Sequence, residues 1–140
     1  MSETADWNDF NRVVIDEFRA NEGKVSGGFA GAPMILITHT GAKSGKEYTS
    51  PLVYSMDDDK PVIIASKGGA PDDPQWFRNL VANPAVTVEI GTEKYQGRAR
   101  VAEGAERDRL FRAQADMMPN FDEYATKTTR LIPVVVIERV

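Results

Sequence analysis

The stretch MILITHTGAKSGKEYTSPLVYSMDDDKPVIIAS, residues 34–66, decides the fold class. Its three apolar and β-branched segments, 34–40, 47–55 and 61–66, are typical of strands, and short turns rich in glycine, lysine and aspartate separate them. Strands joined by turns this short pair antiparallel. The stretch therefore predicts a three-stranded meander in which the third strand lies beside the second.

The rest of the chain adds helices and three further strands. Apolar residues three or four apart over 7–18 predict an amphipathic helix, which either packs on the core or covers a site, and glycines over 21–33 predict a connector. Asp73 as N-cap and Pro74 as the first helical residue predict a short helix that ends at Asn83. Further strands are predicted at 85–90, 93–102 and 133–138, and further helices at 106–118 and 121–130. The prediction is an α+β protein with an N-terminal unit, 1–33, and an antiparallel sheet or barrel domain, 34–140.

The composition excludes several kinds of chemistry. The chain has 140 residues, which is the length of one domain, and it contains no cysteine and one histidine, His39. Thiolate nucleophiles, disulfides, iron–sulfur clusters and two-histidine metal sites are therefore excluded, and no metal site is expected. The net charge of −4 argues against broad nucleic-acid binding, and the polar N-terminus and lack of a long apolar run predict a cytoplasmic protein without membrane association. An enzyme of this composition is expected to take its chemistry from something that it binds.

Two turns carry a lysine among glycines, GAKSGK at 41–46 and SKGG at 66–69. Glycines let backbone N–H groups approach an anion closely, and lysine adds a point charge. Thr40 and Glu47 stand where a nucleotide-binding P-loop needs glycine and serine or threonine, so that motif is excluded. If the second and third strands are antiparallel neighbours, both turns lie at one end of the sheet. The sequence thus predicts either a shared anion site or two ordinary solvated turns.

Five blocks together resemble one known family. The blocks TGAKSG, SPL, ASKGGA, PQWFRNLVANP and TxRLIPVVV, in this order, resemble the deazaflavin-dependent nitroreductases, which have a split β-barrel fold like that of FMN-binding split barrels. The resemblance implies an oxidoreductase that uses coenzyme F-420, rather than FMN, and passes a hydride from the reduced deazaflavin to a small conjugated acceptor such as a quinone, an enone or a nitro compound. The alternative is a protein that binds or carries deazaflavin, flavin or haem without catalysis.

The resemblance also implies a set of cofactor-binding residues. Those expected to receive the phosphate and the tail of the cofactor are Ala42, Lys43, Ser44, Ser66, Lys67, Gly68 and Gly69. Those expected to border the ring are Tyr48, Thr49, Ser50, Pro51, Leu52, Val53, Trp76 and Asn79. Ile64, Ala65 and Gln75 are further expected cofactor-binding residues. Ala42 departs from the family, which commonly has arginine there.

The acceptor side departs further from the family. The family motif Tyr-Pro-x-Tyr-x-x-Tyr reads Met118-Pro119-Asn120-Phe121-Asp122-Glu123-Tyr124 here, so only Tyr124 keeps a hydroxyl. Tyr124 is therefore the expected catalytic residue, as a donor to negative charge on the acceptor. Trp7, Met118, Phe121 and Tyr124 are expected to line the acceptor pocket. His39 alternates with apolar residues on its strand, which is typical of a packed and hydrogen-bonded histidine.

Overall fold

Seven strands and four helices follow one another along the part of the chain that the structure describes. The structure is a computed structural model that describes residues 3–24, 33–65, 73–118, 120–126 and 131–140, with the side chains of 3–11, 120, 124 and 125 left out. The elements are α1 (Glu3–Ala20), β1 (Met34–Thr40), β2 (Glu47–Val53), β3 (Ser55–Asp57), β4 (Lys60–Ile64), α2 (Gln75–Ala82), β5 (Ala85–Ile90), β6 (Glu93–Val101), α3 (Gly104–Met117), α4 (Asn120–Thr126) and β7 (Val134–Arg139).

The strands form one sheet in the order β2-β1-β5-β6-β7-β4-β3, and neighbouring strands are antiparallel. The two ends of this order, β2 and β3, are consecutive in the chain and only Tyr54 separates them. The two ends of the sheet therefore meet at Tyr54, and the sheet curls into a half-barrel. The predicted antiparallel α+β architecture is confirmed.

The predicted meander is wrong in its pairing. The single strand expected at 47–55 is two strands, and β4 does not lie beside β2. Instead β4 pairs with β3 on one side and with β7 on the other, where Val62 lies opposite Val136. Pro51 gives a physical reason, because a residue without an N–H cannot donate to a second neighbour and is tolerated on an edge strand.

The start of α2 also differs from the prediction by one residue. Pro74 is the N-cap, with an extended ψ of 153°, and the helix begins at Gln75. The cap offers no side-chain hydrogen bond to the helix. Asp73 therefore stands one position too early to act as the predicted cap.

Side chains on the two faces of the curled sheet belong to different hydrophobic clusters. The barrel interior contains Ile35, Ile37, Ile63, Leu80, Val86, Val88, Val135 and Ile137. The outer cluster beneath α3 and α4 contains Val62, Ile64, Ala102, Leu110, Phe111, Ala115, Phe121, Ile132, Val134 and Val136. A third cluster, beneath α1, contains Val14, Phe18, Met34 and Leu36. Alternate residues of one strand thus enter different clusters, as the pleat of a β-strand requires.

Helix α1 packs on the core, which was one of the two alternatives left open by its sequence. Val14 and Phe18 contact the outer face of β1. Arg19 donates from Nη2 to Glu89 Oε2 at 2.8 Å and from Nε to Glu89 Oε1 at 3.1 Å. This hydrogen-bonded pair lowers the pKa of Glu89 below its ordinary value. Within the described ranges, no helix is long and apolar enough to cross a membrane.

Gly97 provides a test of the barrel interior. A Cβ at this position of β6 would lie 2.7 Å from Ile137 Cγ2 and 3.4 Å from Val88 Cγ2. We expect Gly97→Ala to lower the free energy of unfolding by about 1–3 kcal/mol through overpacking. The exposed neighbour Arg98 is the control, and Arg98→Ala should change the free energy of unfolding by about 0.5 kcal/mol or less. Urea denaturation measures both, and equal midpoints for the two variants would contradict this packing.

Candidate functional site

The turn between β1 and β2 is held by its own hydrogen bonds. Gly41 N–H donates to the Lys46 carbonyl oxygen at 2.7 Å, and Gly45 N–H donates to the Gly41 carbonyl oxygen at 3.1 Å. Lys46 N–H donates to Ser44 Oγ at 3.2 Å. Gly45 has a φ of +71°, which glycine adopts without steric cost. The turn at 41–46 is therefore a closed loop of fixed shape.

This turn presents positive groups to solvent. Lys43 and Lys46 are exposed, and neither forms an ion pair with any residue that the structure describes. Among the same residues, the backbone N–H groups of Lys43 and Ser44 also have no hydrogen-bond partner. Two free ammonium groups beside two free amides form a surface that can take an anion.

A buried network of hydrogen bonds connects this turn to α2 and to β2. Asn79 Oδ1 accepts hydrogen bonds from the backbone N–H of Ala42 at 3.0 Å and from Gln75 Nε2 at 3.1 Å. Asn79 Nδ2 lies 3.0 Å from His39 Nδ1, and His39 Nε2 lies 2.9 Å from Ser50 Oγ. We call these five residues the His39 network. Four of its members, Ala42, Ser50, Gln75 and Asn79, were expected to bind the cofactor. His39 was not, and it connects Ser50 to the other three.

His39 is neutral in this environment. It is 4% exposed and Asn79 is 1% exposed. Desolvation by burial lowers the pKa of His39 to about 4, because the interior disfavours the imidazolium. The Tyr48 ring stacks on the imidazole with the ring centroids 6.1 Å apart. The predicted packed and hydrogen-bonded histidine is thus confirmed.

The expected ring-bordering residues of β2 are divided between its two faces. Tyr48, Ser50 and Leu52 lie opposite His39, Ile37 and Ile35 of β1 and share their face. Thr49, Pro51 and Val53 lie on the other face, where Val53 packs against the α1 cluster. A flat ligand can contact both sets only if it lies along the strand edge.

The remaining cofactor-binding predictions fall in several environments. Trp76 is half-buried against the barrel interior and meets Phe77 edge to face, with the ring centroids 6.4 Å apart. Ile64 belongs to the outer cluster, and Ala65 N–H donates to the Pro133 carbonyl oxygen. The Ala42 N–H was expected to receive phosphate, but in this structure it donates to Asn79. The residues Ser66, Lys67, Gly68 and Gly69 lie outside the described residues, so their place beside the first turn stays a prediction.

On the acceptor side, the structure describes only part of the predicted pocket. Phe121 is 7% exposed and belongs to the outer cluster, and Met118 packs against that cluster. Phe121 therefore stabilises the core of this structure, whatever contact it makes with an acceptor. The side chains of Trp7 and Tyr124 lie outside the described residues, and their roles stay predictions.

Comparison with known proteins shows which family the chain belongs to. A family model described as F420H(2)-dependent quinone reductase matches residues 10–139. An F420H(2)-dependent quinone reductase of Mycobacterium tuberculosis is 36% identical over 126 residues, which cover 87% of this chain and 85% of that protein. The solved structure of an F420-H2 dependent reductase, FDR-A, is 43% identical with a TM-score of 0.71, and the match covers 76% of this chain and 94% of that chain. A solved domain-swapped dimer is 38% identical with a TM-score of 0.73, and the match covers 97% of this chain and 100% of that chain.

The chain belongs to the F420H(2)-dependent quinone reductase family. Membership confirms the resemblance to deazaflavin-dependent reductases, the split-barrel fold, the oxidoreductase class and coenzyme F-420 as the cofactor.

The buried His39 of this family member makes stability depend on pH. The imidazole takes up a proton near pH 6.5 in the unfolded chain but only near pH 4 in the folded one, so stability is complete above pH 6.5 and falls as the pH falls towards 4. Between pH 6.5 and pH 5 the free energy of unfolding should fall by about 2 kcal/mol. Denaturant titrations at the two pH values measure the change.

The matched variant is His39→Phe, which cannot take up a proton. The difference between the two pH values should disappear in this variant, even if the variant is less stable at both. Glu89 adds little to the change between pH 6.5 and pH 5, because its pKa lies below the ordinary 4.5. The stability that comes from its ion pair with Arg19 is therefore lost only below pH 4.5. An equal loss in the wild type and in His39→Phe would show that another group is responsible.

Proposed function

We propose that the chain binds the anionic tail of coenzyme F-420 at the turn 41–46, holds its ring along the outer edge of β2, and reduces a quinone. The observation that carries this proposal is a pair of exposed lysines, Lys43 and Lys46, which form no ion pair with the residues that the structure describes. They lie at the end of the strand that presents the expected ring-bordering residues. The cofactor has a phosphodiester and a glutamate tail, which match ammonium groups and free amides. When bound, the reduced deazaflavin supplies the hydride, so the protein needs only to bind, orient and exclude water.

The edge of β2 supports the proposed position of the ring. In the part of the chain that the structure describes, β2 pairs with β1 alone and its other edge has no strand beside it. The missing N–H of Pro51 is tolerated where it faces a free edge, and backbone groups alternate between the two edges, so Thr49 and Val53 present theirs to the same side. A planar ring at this edge meets backbone amides in its plane and side chains of both faces.

The acceptor in this proposal is a quinone. The family model is named for quinone reduction, and this favours a quinone over the enones and nitro compounds that the sequence also allowed. Met118 lies half-buried at the end of α3, where an apolar wall would suit a flat acceptor. Hydrogen-bond donation from Tyr124 to the reduced acceptor, contact with Trp7, and a cytoplasmic location stay predictions.

Lys43 gives the most direct test of the anion site. We expect Lys43→Ala to weaken binding of oxidised coenzyme F-420 about 5- to 150-fold, because a charge-assisted contact contributes about 1–3 kcal/mol. Added salt should weaken wild-type binding and reduce the difference. A fluorescence titration of the cofactor measures both effects.

Lys94→Ala is the matched control. It removes the same charge from an exposed side chain near the β5–β6 turn, at the opposite end of β1 from the turn 41–46. Equal effects of the two substitutions would mean that only net charge matters, and no effect of either would exclude the turn as the anion site. Turnover of a quinone with reduced cofactor then distinguishes the reductase from a carrier, because a carrier binds the cofactor but leaves the quinone unreduced.

A further inference from the structure

The Ser50 hydroxyl ends a chain of hydrogen bonds whose directions are fixed by a backbone amide. The N–H of Ala42 can only donate, so the Asn79 atom that it contacts is the amide oxygen, Oδ1. Gln75 Nε2 donates to the same oxygen. The Asn79 side chain is therefore fixed with its NH₂ group directed at His39.

The same reasoning fixes the tautomer of His39. Asn79 Nδ2 donates, so His39 Nδ1 accepts and carries no hydrogen. A neutral imidazole has one ring hydrogen, which is then on Nε2 and is donated to Ser50 Oγ at 2.9 Å. Ser50 Oγ is thus an acceptor inside the network. Its own hydroxyl hydrogen has no acceptor among the residues that the structure describes.

We propose that His39 is a positioning residue that turns the hydroxyl hydrogen of Ser50 towards a ligand at the edge of β2. Ser50 is half-buried on this edge strand and shares a face with Tyr48 and Leu52. A hydroxyl donor held in this way suits a carbonyl or anionic oxygen. The pyrimidinedione part of a deazaflavin ring carries such oxygens, so the inference rests on the proposed function. His39 itself is buried behind Ser50 and acts through it.

The network also explains why the turn and the strand would act together. The amide that orients Asn79 belongs to the turn that carries Lys43 and Lys46, and the hydroxyl that His39 orients belongs to the ring-bordering strand. A shift of the turn on binding an anion would therefore move Asn79 and, through His39, Ser50. The orientation of the hydroxyl depends on both ends of the chain of hydrogen bonds.

A double-mutant cycle in the full chain tests the proposal. Ser50→Ala should weaken binding of oxidised coenzyme F-420 about two- to tenfold, the usual size for one neutral hydrogen bond. His39→Phe keeps the aromatic ring and should weaken binding by at least as much. The double variant should bind as His39→Phe does, because the hydroxyl is no longer oriented and its removal costs little more.

Two further variants separate positioning from general damage to the fold. His39→Gln keeps an amide N–H near the place of imidazole Nε2, and its affinity should lie closer to wild type than that of His39→Phe. Val88→Ala removes buried volume from the barrel interior at a residue that forms none of the network's hydrogen bonds, so it should lower the melting temperature but leave the affinity unchanged.

The outcomes distinguish this inference from the proposed function. If the wild type binds the cofactor and Lys43→Ala weakens binding, but the Ser50→Ala and His39→Phe losses multiply or are absent, the positioning role is overturned and the anion site stands. An equal loss in Val88→Ala overturns it as well. Should His39→Phe fail to fold, an unchanged affinity in Ser50→Ala is sufficient to reject it. If the wild type does not bind coenzyme F-420, both proposals fail.

Discussion

The hydrogen bond between Asn79 Nδ2 and His39 Nδ1 connects parts of the chain that hold the candidate site. It joins α2 to β1 across the barrel interior, and through Asn79 Oδ1 it also holds the start of the turn 41–46. Both side chains are buried, and a buried polar group without a partner costs about 1–3 kcal/mol. Loss of this one contact would therefore leave unsatisfied atoms on a strand and on a helix, and would weaken the restraint on the Asn79 side chain that holds the Ala42 N–H.

The curl of the sheet provides the edge at which this network ends. Because β2 and β3 are consecutive, the interior is closed at Tyr54, while β2 keeps one side without a strand in the described part of the chain. The interior cluster includes Ile35 and Ile37, which lie on the same face of β1 as His39, and α1 covers the other face of this strand. Stability comes from these apolar clusters. The polar chemistry is confined to one end of β1 and β2, where the turn, the strand and α2 meet.

Much of the local structure could be predicted from the sequence, and the long-range pairing could not. The strands at 34–40 and 85–90 have the predicted bounds, because alternation and turn residues are local signals. One of the two partners of β4, the strand β7, is 70 to 74 residues further along the chain, and no local pattern indicates it. The same holds for the site. Glycine and lysine marked the turn 41–46, and the resemblance supplied Ser50, Gln75 and Asn79, but His39 was expected only as a packed residue because Asn79 is 40 residues away.

The most direct test of the His39 network is to measure the protonation state of His39 by NMR. The assignment is simple because His39 is the only histidine in the chain. A long-range ¹H–¹⁵N correlation spectrum of the ¹⁵N-labelled protein contains the signals of a single imidazole. The network predicts a neutral ring with its hydrogen on Nε2 and none on Nδ1, unchanged between pH 5.5 and pH 8, because burial keeps the pKa near 4. An imidazolium at pH 6, or a hydrogen on Nδ1, would contradict the directions of the hydrogen bonds from Asn79 to Ser50.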